Sequence, residues 1–464
     1  MTVFRRPSPP PPAARARAVL CIGLALAFAS AQAQNAGALQ AADPAHAGSA
    51  PPPLRLPAPG SADAQAQPAD IAAARAIWQH ANARVAEFPR GHIDLLRQEA
   101  GNTGPAAAPG GASAPPPLDL AQALRLSLRQ RPELFTHADM NPLALAQVRV
   151  AYAVHVRELQ RTWIDAVTTR QRARLLADML DATRTGSELG RRMVVAGNWS
   201  QARQVREQLL EASAWQAAVA AQGEALAAQE QLAQRLGLWD AADVARLGER
   251  LPESLPAPPP TPSPAPGLDA GSIEAAALRS HPSLALERIE AQRQRAALAD
   301  DRRAAWQRAV DAALDALPDP GTTPTPPHIG DLSLLRDHTL ERAVETDAKL
   351  LRLAAERRAM ARQAWAHLQV QHAAALHAQN VVGPLQASLA QETLLRYNGM
   401  LQSSWELLAS ARERLASLDA AQQARRGFWL AQADWQALLA GADYAGSATA
   451  PSSTGGGSAA PAGH

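Results

Sequence analysis

The chain has 464 residues, with 45 basic and 43 acidic side chains, so its formal net charge is only +2. This balance excludes the strongly basic surface that is typical of nucleic-acid-binding proteins. Aromatic residues make up 4% of the chain, too few for an ordinary β-rich core or for the aromatic girdles of an outer-membrane barrel. The composition therefore favours an α-helical protein.

The first 33 residues have the pattern of an export signal. Four arginines precede a short apolar run at residues 18–29, and Ala-Gln-Ala at residues 31–33 offers a cleavage site. The run is too short to be a permanent membrane anchor. We expect residues 1–33 to be a signal peptide, whose removal changes the formal charge to −2. Cys21, the only cysteine, would be removed with it, which excludes disulfides and thiol chemistry in the mature chain.

Residues 34–117 are mostly linker in character. Residues 34–67 are rich in Ala, Pro, Gly and Gln, and we expect them to be disordered. Residues 68–100 have the apolar spacing of a helix. They are interpreted as a helical segment that packs on the main body, with a partner-binding arm as the alternative. Residues 101–117 form another Gly/Pro/Ala linker.

Residues 118–240 form the first of two helical repeats. A short amphipathic helix is predicted after Asp119, a suitable N-cap residue. A long heptad pattern follows over residues 142–238, interrupted by Gly197-Asn198-Trp199-Ser200. A strict heptad keeps one apolar stripe facing a partner helix, so the pattern predicts an antiparallel helical hairpin with an ascending arm about 80 Å long. The heptad residues are Leu145, Tyr152, Leu159, Ala166, Ala173, Leu180 and Val194, then Val205, Ala212, Val219, Leu226 and Ala233.

A proline-rich linker at residues 252–267 leads to the second repeat, residues 268–442. Leu278–Leu284 restates Leu128–Leu134 at an offset of 150 residues, and a second long hairpin follows with its turn at Asn398-Gly399. Its heptad residues are Ala354, Ala361, Leu368, Ala375, Val382 and Leu389, then Leu401, Leu408, Leu415 and Trp429.

Between these motifs we expect loops near 239–271 and 317–338, with one helix running to Leu317 before the second loop. Residues 443–464 are expected to be a disordered tail.

The ordered set of motifs resembles the TolC-like outer-membrane efflux protein family. Each family repeat opens with a helix of the form LxxALxxALxxxPEL, which residues 120–128 and Pro132-Glu133-Leu134 fit. The family's hairpin turn, Gly-Leu-x-Ser/Thr-x-x-Asp-Val-Leu, is matched only in part. The turns here share their glycines, Gly197 and Gly399, and then Ser200, Val205 and Leu407. The acidic position of that turn is Arg203 in the first repeat and Trp405 in the second.

One departure from the family concerns the membrane part. Family members insert a β-hairpin in each repeat, but residues 135–142 run straight from one helix to the next. Residues 317–338 hold five prolines and no aromatic residue. Spanning strands need about 9–11 alternating residues, and proline cannot donate to the strand ladder. The predicted fold is therefore all-α: two tandem repeats of a short helix and a long antiparallel coiled-coil hairpin, a TolC-like helical barrel subunit without clear β-barrel strands.

The residues give little support to catalysis or metal binding. His367, His372 and His377 are five residues apart, so each is turned about 140° around the helix from the last and they do not converge. Asp300-Asp301 beside Arg302-Arg303 is interpreted as a solvated face. We recognise no phosphate loop, serine elbow or zinc spacing, and we predict no catalytic residue, no metal and no cofactor.

The resemblance implies a passive conduit: the outer component of a tripartite efflux system, in the outer membrane or periplasm of a Gram-negative bacterium. It implies a homotrimer and a periplasmic adaptor (membrane-fusion) protein as partner. The alternative is a periplasmic scaffold that binds the adaptor but does not conduct. A membrane-fusion adaptor is disfavoured, because adaptors usually carry one hairpin and this chain carries two.

The adaptor would meet the hairpin tips. An exposed Trp199 or Leu401 would favour such contact, whereas the opposing interpretation is that Gly and Asn merely permit the turns. The candidate partner-binding residues are Gly197, Asn198, Trp199, Ser200, Asn398, Gly399, Met400 and Leu401.

Overall fold

The computed structural model describes residues 40–42, 56–59, 117–262, 272–317 and 326–444. The predicted signal peptide, the predicted helical segment 68–100 and the residues beyond 444 lie outside these ranges. Within them the regular structure is helical and no strand occurs, which confirms the all-α fold class. No helix in the same ranges is both long and apolar enough to cross a membrane.

The first repeat begins with a short capped helix. Helix α1 (Leu120–Leu128) starts after Asp119, whose carboxylate accepts a hydrogen bond of 2.6 Å from the Gln122 N–H, so the predicted N-cap is confirmed. A 3-10 turn (Pro132–Leu134) follows where the sequence motif has its proline. Leu118 and Ala123 are fully buried, which fixes α1 against the base of the hairpin.

The first hairpin consists of α2 (Pro142–Val195) and α3 (Gln201–Leu236). Helix α2 has 54 residues, which corresponds to the predicted length of about 80 Å. The Asn141 side chain accepts a hydrogen bond of 2.8 Å from the Ala144 N–H, so α2 has its own N-cap. The long arms predicted from the heptads are therefore present.

The two arms of this hairpin pack through a row of small residues, which differs from the predicted seam along most of α3. Of the predicted seam, Val205 and Leu226 are exposed and only Ala233, near the end of the helix, is buried in the core. The residue Ala214 lies nine positions after Val205, two and a half turns, and so faces the opposite side of the helix. Both rows follow a heptad; alanines occupy the inner row because they allow α2 and α3 to approach closely. The inner row is Ala214, Ala218, Ala221, Ala228 and Leu232.

The predicted loop 239–271 contains a further helix, α4 (Ala241–Arg250), capped by Asp240. Its Val244 and Leu247 are buried in the core of the first repeat, which explains why a helix forms where only a loop was expected. The predicted proline-rich linker is described over residues 252–262, here called the connector, where it forms neither helix nor strand. It is packed rather than free, because Leu255 is buried in the same core.

The second repeat opens with α5 (Ile273–Ser280) and α6 (Pro282–Ala297). The single helix expected to run to Leu317 is instead broken at Leu298-Ala299, and α7 (Asp300–Asp315) starts there. Burial of Leu298 against the start of the second hairpin accounts for the break. Asp300 and Asp301 form the first turn of α7, where the helix dipole favours acidic side chains.

The second hairpin follows α8 (Leu332–Leu335). Its ascending arm is α9 (His338–His377), a π-helical turn (Ala378–Val382) and α10 (Gly383–Asn398). Its descending arm is α11 (Ser404–Leu439).

The π turn changes the register of the second seam. Pro384 has no N–H to donate to the carbonyl four residues before it, and an extra residue in the preceding turn accommodates it. Ala361 and Leu368 are buried as predicted, but beyond the π turn Leu389 is exposed and Thr393 is buried instead.

The two hairpins lie side by side, with α2 packed along α11. Ion pairs join them, and the two shortest link α2 to α11: Arg161 Nη1 is 2.7 Å from Asp434 Oδ1, and Arg426 Nε is 2.7 Å from Asp165 Oδ1. Asp434 is buried, so its pairing with Arg161 compensates the cost of removing the carboxylate from water.

A short N-terminal piece also lies on the first hairpin. Residues 56–59 fall within the stretch predicted to be disordered, yet the Trp215 indole N–H donates a hydrogen bond of 2.9 Å to the Pro57 carbonyl. Extended proline-rich backbone leaves its carbonyls free to accept such bonds.

Candidate functional site: the hairpin tips

The first tip is a tight glycine turn. Gly197 adopts φ +75°, and the Asn198 N–H donates a 2.9 Å hydrogen bond to the Met193 carbonyl, closing the last turn of α2. Ser200 is the N-cap residue of α3, but its hydroxyl makes no capping bond. Gly197 and Asn198 are exposed at the apex.

The second tip is built differently from the expected Asn-Gly turn. Gly399 has φ −80°, and the left-handed residue is Met400, with φ +59°. The glycine is thus not the residue that needs the unusual backbone conformation here, contrary to the sequence-based interpretation. Met400 is 91% exposed and Leu401 is 80% exposed.

Helix α11 begins at this tip with a capping box. The Glu406 N–H donates to the Ser403 hydroxyl, and the Glu406 carboxylate accepts a 2.7 Å hydrogen bond from the Ser403 N–H. That backbone hydrogen bond lowers the pKa of Glu406. The box holds the first turn of α11 in place directly beside Met400 and Leu401.

The sequence suggested that Trp199 projects freely into solvent, but the structure shows that it does not. It is half-buried and lies against Trp405 of α11, with ring centroids 4.1 Å apart. The Arg203 guanidinium carbon lies over the Trp199 ring, 4.5 Å from its centroid. The two hairpin tips are therefore joined by an aromatic contact, here called the tryptophan clasp (Trp199 and Trp405).

Two glycines of α2 make room for side chains at this end: Gly190 for the clasp and Gly186 for the neighbouring Arg412. A Cβ at Gly190 would lie 3.2 Å from Trp199 Cζ3, and a Cβ at Gly186 would lie 2.6 Å from Arg412 Nη2. Arg412 of α11 in turn donates a 2.8 Å hydrogen bond to the Glu207 carboxylate of α3. The end of the molecule is thus tied across three helices.

A second cluster of charges lies on α2 near the tip. Glu188 accepts hydrogen bonds of 2.8 Å from both Arg191 and Arg192, and these bonds lower the pKa of Glu188 to about 2. Arg192 is largely exposed, and Glu188 and Arg191 are partly exposed, so we assign this cluster a small contribution to stability.

The structure thus places the predicted tip residues in the turns of the two adjacent hairpins, between α2 and α3 and between α10 and α11. Motif reasoning missed the contacts that join them, which involve Trp405, Gly186, Gly190, Glu207 and Arg412. The signal that was available is the Gly186-x-x-x-Gly190 spacing inside a long helix, since glycine in a helix interior weakens it and implies a packing role.

The histidine series has a structural role at one position. His372 is buried, and its Nε2 donates a 2.6 Å hydrogen bond to the Pro259 carbonyl of the connector. Across the described ranges, no three His, Cys, Asp or Glu side chains are grouped as metal ligands.

No protein-family model and no curated protein matches the chain. Solved structures do. The outer-membrane channel OprN is 16% identical over 85% of this chain and 99% of its own, with a TM-score of 0.41. The channel-forming CusC is 12% identical over 80% of this chain and 92% of its own, with a TM-score of 0.40. The outer membrane protein VceC of Vibrio cholerae is 13% identical over 70% and 75%, with a TM-score of 0.39.

These proteins belong to the class that the sequence motifs resemble.

Proposed function

We propose that this protein is a TolC-like outer component of a tripartite efflux system in the Gram-negative envelope. It would act as a passive conduit, need no cofactor, and bind a periplasmic adaptor protein through its hairpin tips. The observation that carries the proposal is the exposed pair Met400 and Leu401 on a tip that the tryptophan clasp and the capping box hold in place. Large apolar side chains exposed on a rigid surface are typical of protein-binding sites.

The experiment measures adaptor binding by tip variants. Leu401→Ala should weaken binding of the purified adaptor by about 1–3 kcal/mol if Leu401 is an interface anchor. Leu385→Ala is the matched control, because Leu385 is also a largely exposed leucine but lies on α10 well away from the tip. Titration calorimetry measures both. Equal affinity of the two variants would contradict tip docking.

A second candidate is a periplasmic scaffold that binds the adaptor without conducting. The observation that favours it is the short connection at residues 135–141, which leads straight from the 3-10 turn to Asn141, the N-cap of α2. Current recordings in planar bilayers, together with fractionation of washed outer membranes from periplasm, separate the two. Stable unit conductance and outer-membrane location support the conduit, whereas tip-dependent adaptor binding without conductance supports the scaffold.

A further inference from the structure

The tetrapeptide Leu-Pro-Ala-Pro occurs twice in the chain, at residues 56–59 and at residues 255–258. The first copy, here called the strap, lies on the first hairpin, and the second is part of the connector. In both copies the carbonyl of the first proline accepts a 2.9 Å hydrogen bond from a tryptophan indole N–H on the helix that descends from the hairpin turn, α3 or α11. The two pairs are Trp215 with Pro57 and Trp429 with Pro256. The two repeats therefore hold the same peptide through the same kind of donor.

An arginine binds a neighbouring carbonyl of each copy. Arg184 of α2 donates a hydrogen bond to the Ala58 carbonyl, the next one along the strap. Arg425 Nη1 donates a 3.2 Å hydrogen bond to the Leu255 carbonyl, the one before Pro256. Proline has no N–H and its ring restricts the backbone, so the carbonyls of such a peptide are held in place and are free to accept. Proline-rich peptides are commonly recognised in this way, on surfaces that carry aromatic side chains.

The two donors that bind the strap are positioned by the first hairpin itself. Trp215 packs against the buried cluster that includes Leu176 and Leu180. Arg184 Nε lies 3.8 Å from the carboxylate of Glu211, which is half a charge pair between α2 and α3. Glu211 and Trp215 are four residues apart on α3 and so share one face of the helix, which brings Arg184 to the side of Trp215. Because both donors are in place without the peptide, little order has to be gained when it binds.

The two copies differ in how firmly they are held. Leu255 of the connector is 2% exposed and belongs to the core of the first repeat, whereas Leu56 of the strap is 49% exposed. Within the strap only Pro57 is partly buried. A segment with few buried apolar groups opens at a low free-energy cost. The strap can therefore leave its site while the connector stays in place.

We propose that Trp215 and Arg184 form a docking site for proline-containing peptides of the Leu-Pro-Ala-Pro type, with the strap as its intramolecular occupant. The strap exchanges between a docked and a free state, and the free site takes the same peptide from solution. Trp215 lies about 20 Å along α3 from the start of that helix at the tip. The proposal is therefore independent of adaptor docking at the tips.

The test follows hydrogen exchange of the Trp215 indole N–H in the full mature chain by heteronuclear NMR, with the signal assigned through Trp215→Phe. Combining Pro57→Gly with Pro59→Gly keeps the carbonyls of the strap but removes both proline rings, and exchange at Trp215 should become several-fold faster. The Trp429 indole N–H, which the connector holds, is the internal control and should not change.

A free peptide should then refill the site. Acetyl-Leu-Pro-Ala-Pro-amide at millimolar concentration, the range of the effective concentration that a short tether provides, should restore slow exchange at Trp215 in the double variant. Acetyl-Leu-Gly-Ala-Gly-amide offers the same carbonyls without the proline rings and should not restore it.

Two arginine variants make the test specific. In the double variant, Arg184→Ala should raise the dissociation constant of the proline peptide about three- to ten-fold, as expected for the loss of one hydrogen bond. Arg192→Ala is the matched control, because Arg192 lies on the same helix but pairs with Glu188 instead. Circular dichroism checks that each variant is folded. Unchanged exchange at Trp215 in the double variant, equal restoration by the two peptides, or equal effects of the two arginine variants would each overturn the proposal.

Discussion

At the scale of single residues, the positions that depart from the family's turn motif are the ones that hold the tips together. Arg203 and Trp405 occupy the place of the motif's acidic residue, and both contact Trp199. If either position held a carboxylate, the electron-rich Trp199 ring would face a negative charge in place of a cation or an aromatic ring. We interpret the departures as a change from a polar turn to an aromatic contact between the hairpins.

A glycine at the end of the last helix provides the first prediction. Gly441 adopts φ +95°, and a Cβ there would lie 2.4 Å from the Ser280 carbonyl oxygen. Gly441→Ala should therefore lower the free energy of unfolding by about 2–4 kcal/mol, because it combines backbone strain with overpacking. Urea unfolding followed by circular dichroism measures it.

The control for that substitution is another glycine in the same chain. Gly223 lies inside α3 with nothing within 4 Å of its Cβ position. Gly223→Ala should raise the free energy of unfolding by up to about 1 kcal/mol, since alanine is the better helix former. If both substitutions changed stability in the same direction, the conformational argument for Gly441 would be wrong.

At the scale of elements, the arms of the hairpins were predictable because their signals are local and repeated. The heptads placed α2, α3 and α11 correctly, and Asp119 marked the start of α1. The face of α3 that packs against α2 was not predictable. Large residues such as Val205 suggested that their own row is the seam, but a different row, made mostly of alanines, forms it. The heptad pattern alone does not show which of the two rows of α3 packs against α2 of the same chain.

Other elements depended on tertiary contacts that local patterns do not report. Helix α4 forms because Val244 and Leu247 reach the core, and α6 ends because Leu298 does. The tip turns were located from Gly197 and Asn398-Gly399. The clasp between Trp199 and Trp405 was not predictable, because it pairs residues from different repeats.

The second prediction concerns the clasp as a contact between the two hairpins. The double-mutant cycle of Trp199→Ala and Trp405→Ala should show a coupling energy of about 0.5–1.5 kcal/mol in urea unfolding, since the rings are 4.1 Å apart. Trp306 packs in a separate cluster with Leu334 and Leu340, so a cycle of Trp199 with Trp306→Ala should be additive. Additivity in both cycles would show that the clasp does not stabilise the pairing of the hairpins.

At the scale of the whole molecule, a long apolar row of α3 has no helix packed on it within the described ranges. The outer row of α3 keeps the seven-residue spacing that is typical of helix pairing, although α2 packs on the opposite face. Leu209, on this row, is 65% exposed. Since the sequence resemblance implies a homotrimer, we propose that the outer row packs against a neighbouring copy. The row consists of Val205, Leu209, Ala212, Val219 and Leu226.

The third prediction tests this assembly. The mature protein should sediment as a trimer at micromolar concentration, and Leu209→Glu should shift it toward the monomer, because a charge would be buried without a partner in the interface. Gln231→Glu is the matched control, since it introduces the same change of charge at an exposed position of α3. Gln231 lies five residues beyond the last member of the outer row and about 95° around the helix from the centre of that row. A monomeric wild type would contradict the assembly itself, and identical sedimentation of the two variants would place the interface on another face of the hairpins.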